Sequence, residues 1–171
     1  MVPEMAEVLA AGELTLRLLE PADHAELHAI FSDPRTHTIG SGPVRDAEET
    51  RQWLDRRRVR RTEHGVAWYA VRRPDGSMIG TAGLLIGRTE PHPEIGFEIR
   101  HQDQRRGFGT AAAMAVVAEA YRAGFEQVWA TVRPWNVGSL RALDRVGFRP
   151  QRVERDEHGE LICLLHRATV A

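Results

Sequence analysis

The chain contains no lysine, and all 23 of its basic residues are arginine. That bias reads as genome composition and carries no mechanism. A single cysteine, Cys163, excludes an internal disulfide framework and every Cys-rich zinc site. Set in an apolar run, it reads as a buried, inert thiol. His92 and His158 have no partner at metal-ligand spacing, so no metal is expected. No run approaches the roughly 18 apolar residues of a membrane-spanning helix, and the acidic, proline-containing start is no signal peptide. A cytoplasmic protein without a membrane partner is the expectation. A formal net charge of -1 gives no support to a nucleic-acid partner. The 171 residues read as one domain, 1–171, without repeats or linkers.

A more local absence points to chemistry. No Asp or Glu lies between Gln104 and Ala118, although the start of that stretch opens a helix. Acids normally favour a first helical turn, where the macrodipole is positive. Just before it, Glu94-Ile95-Gly96-Phe97-Glu98-Ile99-Arg100 alternates as a half-buried strand does. Between the two lies Gln104-Arg105-Arg106-Gly107-Phe108-Gly109. Unpaired N–H groups at a helix start, beside two arginines and without an internal anion, describe a phosphate cradle.

Around this unit the pattern predicts the order βααβββαβαββ. Strands are expected at Leu14–Leu18, Val66–Arg72, Met78–Ile86, Glu94–Arg100, Gln127–Val132, Phe148–Val153 and Leu161–Arg167. Helices are expected from Ala22 to Phe31, from an Asp46 cap with Glu49 in a capping box to about Arg61, through Tyr121 to a Gly124 stop, and from an Asn136 cap to Gly147. Such an order implies a mixed sheet with helices on both faces.

Gly107-Phe108-Gly109-Thr110-Ala111-Ala112 also fits G-x-G-x-x-A, a dinucleotide fingerprint. That motif belongs directly on a strand end, early in a βαβ unit, with an acid about 20 residues on. Here six polar residues, 101–106, intervene and the unit comes late, so a dinucleotide oxidoreductase is the weaker reading.

Gln104, Gly107 and Gly109 instead form Q-x-x-G-x-G, which resembles the pyrophosphate loop of the GNAT N-acetyltransferase superfamily. The preceding Glu-Ile-Gly-Phe, the opening Leu16-Arg17-Leu18 with Ser32-Asp33-Pro34, and Ile79 to Leu84 are similar to the RimJ/RimL-like branch. So is Asn136-Val137-Gly138-Ser139 followed by Gly147-Phe148. The resemblance runs from about Leu14 to Arg167. It implies an α+β acyl-CoA N-acyltransferase fold: a central, mostly antiparallel twisted sheet whose fourth and fifth strands splay, with helices on both faces.

It further implies acetyl-CoA as cosubstrate and direct transfer to a primary amine, either a protein N-terminus or a small molecule. The pyrophosphate would lie on N–H groups from Arg105 to Thr110, including Arg106, Gly107, Phe108 and Gly109. The pantetheine arm would pair with backbone at Ile99, Arg100 and His101 and be held by Asn136. Arg100, Arg105 and Arg106 would add charge. Ser139 matches the position that protonates the departing sulfur, and a strand N–H near Ile99 would serve the carbonyl oxygen. Glu94 and Glu98 are candidates to take the amine proton, with Glu154 or water as alternatives. Arg35, Thr36, His37, Trp53 and Trp68 would line the acceptor cleft. A catalytically silent acyl-CoA sensor of the same fold is the alternative. Monomer and homodimer are both left open.

Overall fold

Twelve regular elements follow one another in the computed structural model, which describes residues 3–36 and 42–169. They are β1 (Val8–Ala11), β2 (Leu14–Leu18), α1 (His24–Phe31), α2 (Ala47–His64), β3 (Trp68–Arg72), β4 (Met78–Leu85), β5 (Glu94–Ile99), α3 (Phe108–Ala123), β6 (Gln127–Val132), α4 (Val137–Val146), β7 (Arg149–Asp156) and β8 (Gly159–Arg167). The strands form one sheet in the order β1-β2-β3-β4-β5-β6-β8-β7. Every neighbouring pair is antiparallel except β5 with β6.

The expected elements are present; beyond shifts at strand ends, the largest of which carries β7 to Asp156 instead of Val153, four changes stand out. β1 was not expected, because Val8-Leu9-Ala10-Ala11 has no alternation; it is a strand by pairing with β2 around Gly12, whose φ is 61°. Pro21–Asp23 forms a 3₁₀ turn, and the α-helix begins only at His24. Asp46 caps α2 by accepting from the Glu48 N–H at 2.9 Å, but no return bond from Glu49 completes a capping box among the described residues. α2 also runs past Arg61 to His64, where left-handed Gly65 (φ 72°) ends it.

Two apolar layers sandwich the sheet. Under α3 and α4, Ala112, Ala113, Val116 and Ala120 meet Tyr69, Ala82, Ile95 and Val128. Their small side chains let α3 lie close to the strands, which brings its N-terminus to the end of β5. Under α1 and α2, Leu27, Ile30, Phe31 and Leu54 meet Trp68, Ala70 and Met78. Burial of each Val, Leu, Ile, Phe or Met side chain among them stabilises the fold by about 1.5–3 kcal/mol before entropy is counted. At the edge of this second layer the Arg57 guanidinium stacks 4.6 Å from the Trp53 ring and 4.9 Å from that of Trp68. Burial, with Arg56 and Arg60 nearby, pulls its pKa down to about 10.

Candidate active site

β5 and β6 share a single ladder position, Glu94 opposite Trp129, where the Trp129 N–H donates to the Pro93 carbonyl at 2.9 Å. Beyond it the two strands part. On the other side β5 is fully laddered to β4, and the Arg100 N–H donates to the Ile79 carbonyl at 2.7 Å. Ladder alternation then turns the N–H and C=O groups of Phe97 and Ile99 toward the gap. Arg100 therefore does not offer its N–H there, contrary to the expectation for Ile99 to His101. The Ile99 carbonyl accepts from the Gln104 side-chain amide at 2.9 Å, so Gln104 braces the strand end from the loop.

A cleft of about 210 Å³ opens at this gap, with Glu94, Glu98, Thr131, Asn136 and Ser139 among its walls. Glu94 and Glu98 lie on one face of β5, but they are not exposed there: only 7% and 9% of their surface meets solvent. The Thr131 hydroxyl donates a short hydrogen bond to Glu94 Oε1. Burial pushes the Glu94 pKa up; the Thr131 bond and then Arg88 pull it back, and Glu154 adds a further upward push. Glu98 stands directly across from Thr81 of β4. Glu154, by contrast, is half-buried and engaged by Arg152 at 2.9 Å and Arg88 at 4.0 Å.

Asn136 does cap α4, its Oδ1 accepting from the Ser139 N–H at 3.3 Å. That bond fixes Ser139 in the first turn of α4, on the cleft wall. The two tyrosines are elsewhere: Tyr69 is buried and donates to the Ala6 carbonyl at 2.7 Å, and Tyr121 lies 2.6 Å from His166 Nδ1.

The loop from β5 to α3 is built around a buried carboxylate. Arg100 bonds Asp103 at short range, and Arg73 and Arg106 approach it at 3.4 and 3.7 Å. Asp103 is 2% exposed. The expectation of two arginines without an internal anion is thus corrected at Arg106: the anion lies one residue outside the acid-free stretch. One carboxylate against three guanidiniums still leaves local positive charge. Arg73 was not foreseen, because it comes from the β3–β4 turn, 30 residues away from Asp103. Arg105 holds a left-handed φ of 64°, unusual for a side-chain-bearing residue, and Gly107 follows at φ 80°. Gly107 provides no side-chain cap, and the Ala111 N–H is the first to bond back into α3, to the Gly107 carbonyl at 3.0 Å. The N–H groups of Phe108, Gly109 and Thr110 are consequently left to an outside acceptor. A Cβ on Gly107 would meet nothing within 4 Å, whereas one on Gly109 would touch the Phe97 ring at 3.5 Å and Ile99 at 3.6 Å.

A family model described as an acetyltransferase (GNAT) domain matches residues 13–149. The chain belongs to the GNAT acetyltransferase family. It is 28% identical over 155 residues to YoaA of Bacillus subtilis strain 168, named an uncharacterized N-acetyltransferase, with 88% of each chain covered. An acetyltransferase structure from Agrobacterium tumefaciens superposes with a TM-score of 0.83 at 22% identity, covering 95% of both chains. Mycobacterium smegmatis RimJ, solved with a CoA-disulfide, superposes at 0.77 and 19% identity over 97% of this chain and 88% of its own. RimL, a ribosomal L7/L12 α-N-protein acetyltransferase solved with coenzyme A, gives 0.80 at 15% identity over 94% and 98%. These structures establish the GNAT fold, its splayed strands being β5 and β6 here.

GNAT enzymes use acetyl-CoA, and the residues present fit it. The acid-free start of α3 offers three free N–H groups to a pyrophosphate, with no side chain on Gly107 to block approach. On the acceptor side this acetyltransferase departs from expectation. Trp68 is 3% exposed and, with Trp53, belongs to the layer beneath α1 and α2, so neither lines the cleft. Arg35 is exposed and bound to Asp33 at 2.8 Å, Thr36 is buried, and His37 lies outside the described residues. Trp135, 60% exposed, and Arg88 wall the cleft instead, and neither was expected there. Among the described residues no group of His, Cys, Asp and Glu could hold a metal ion, and no helix is long and apolar enough to cross a membrane.

Proposed function

We propose that this GNAT enzyme transfers the acetyl group of acetyl-CoA directly to a primary amine, a protein N-terminus or a small-molecule amine. Glu94 is the base, Ser139 the acid, and Asn136 with the β5–α3 loop binds the cosubstrate. The observation that carries this reading is the placement of a buried carboxylate and a half-buried hydroxyl on the walls of one cleft, at the mouth of the strand gap.

Acetyl-CoA supplies the acetyl group as a thioester. Glu94 takes one proton from the acceptor ammonium, freeing the lone pair that forms the new C–N bond. Its upward-shifted pKa favours this, because a base whose pKa approaches that of the amine holds the proton more readily. The N–H groups of Phe97 and Ile99 face the gap and are donors for the carbonyl oxygen, where negative charge develops. Ser139 gives a proton to the sulfur as the C–S bond breaks, and regains the second proton that the nitrogen sheds as the tetrahedral adduct collapses to the amide. The start of α3 and the arginines around Asp103 neutralise phosphate charge, and Asn136 keeps Ser139 in register through its cap.

The test is free-thiol release from acetyl-CoA against a panel of amines and N-terminal peptides. Release with at least one amine, lowered about 10-fold or more by Ser139→Ala while CoA still raises the melting temperature, is the expected result. Unchanged turnover in Ser139→Ala would remove that residue from the acid role. Thermal stabilisation by CoA with no release for any amine would make the protein an acyl-CoA sensor.

A further inference from the structure

Glu94 holds a peculiar place in the sheet. It sits at the one ladder position joining β5 to β6, and Thr131 lies two residues farther along β6, where the strands have already begun to part. The Thr131 hydroxyl nevertheless donates to Glu94 Oε1. The bond is thus a side-chain tie across the mouth of the gap. A hydroxyl here satisfies one carboxylate oxygen and fixes the side-chain torsion, so Oε2 is the oxygen without that donor. Resting on the reading of Glu94 as base, we propose that Thr131 is its positioning residue, holding Oε1 so that Oε2 is presented to the acceptor amine.

The surroundings of Glu94 make such a donor necessary. Burial favours its protonated form, and Glu154 on β7 pushes the same way. Cys163 on β8, directly across from Thr131, faces it with a thiol whose own pKa is raised by burial. Glu98 shares its face of β5. Among the described residues Arg88, from the β4–β5 connection, opposes these with positive charge, and it is also engaged by Asp156 at 3.3 Å and Glu154 at 4.0 Å; Arg133, on the same cleft wall, is held by Asp156 at 2.7 Å. Removing the Thr131 donor therefore leaves a carboxylate that holds its proton to higher pH. As a base it would be active only at higher pH.

Thr131→Val keeps the β-branched shape and deletes the hydroxyl; Thr131→Ser restores a donor on a smaller side chain. Two measurements test the role. The first is the carboxyl ¹³C titration of the free protein, with Glu94 assigned by the resonance lost in Glu94→Gln. The second is the pH profile of kcat/KM for thiol release with acetyl-CoA and the panel amine of highest turnover. Thr131→Val is expected to move the Glu94 midpoint and the acid limb upward together. The rate then falls several-fold on the acid limb and much less on the plateau above it, with Thr131→Ser returning both midpoint and limb toward wild type. An unmoved midpoint and limb in Thr131→Val, with the acid limb abolished in Glu94→Gln, overturns Thr131 alone. A wild-type limb in Glu94→Gln overturns the base and Thr131 with it, as does the absence of release with every amine. Should Thr131→Val not fold, Thr131→Ala is the donorless variant read in the same way.

Discussion

At the scale of single residues, the two loop glycines do different work. Gly107 occupies a left-handed φ that a side chain resists, while Gly109 lies in the helix with the Phe97 ring 3.5 Å from where its Cβ would be. A methyl at Gly109 makes only ordinary contact, so Gly109→Ala is expected to keep most CoA binding. The branched Gly109→Val must push its γ carbons toward Phe97 or over the amides, and should weaken CoA binding more than about 10-fold. Calorimetric titration with CoA checks the pair; equal affinity in both variants would show that the space is not critical. Residue identity made much of this legible. Gly107, Gly109, Asn136 and Ser139 announce themselves by spacing, because loop and cap geometry are local. The burial of Glu94 and Glu98 does not, since alternation looks the same whether the polar face meets water or lies buried within the fold. Arg73 and Thr131 were equally invisible, as their partners are 30 and 37 residues away.

At the scale of elements, the helices were legible where a cap or a stop marked them, and β1 was not, because pairing with β2 rather than its own pattern makes it a strand. β8 and α3 are tied by a contact with a measurable consequence. His166 of β8 lies 2.6 Å from the Tyr121 hydroxyl of α3 and packs against Phe148. Burial lowers the His166 pKa, so the unfolded chain binds its proton more readily than the folded one. Stability from this site is complete above the ordinary histidine pKa of about 6.5 and declines as pH falls through that value toward the folded one. Melting curves between about pH 7.5 and 5 should show this loss, and His166→Gln should flatten it. An identical slope in wild type and variant would assign the loss to other groups.

At the scale of the whole molecule, the sheet is two sets of strands, β1 to β5 and β6 to β8, joined by one ladder position and the Thr131–Glu94 bond. The overall class followed from the order of strands and helices in the sequence. The parting was expected only through the family resemblance, because nothing in the composition of Glu94–Ile99 or Gln127–Val132 separates a ladder that closes from one that opens. Carboxylates cross-linking distant parts add acid sensitivity. Asp156, bound by Arg133 at 2.7 Å, and Glu119, which accepts from the distant Ala6 N–H at 2.6 Å and from Arg122 of its own helix, both have lowered pKa values. Their contributions are present above the ordinary carboxylate range and are lost as pH falls below it toward the lowered folded values.

The open ladder also leaves a signature in time. Along β5, amides that point to β4 are locked, while those of Phe97 and Ile99 point into the gap from the middle of the same sheet. Hydrogen–deuterium exchange should therefore read as a stripe of alternating slow and fast amides along one central strand, a pattern ordinarily confined to sheet edges. Adding CoA should slow the fast ones alone. Uniform protection along β5 in the free protein would mean that the gap is closed in solution.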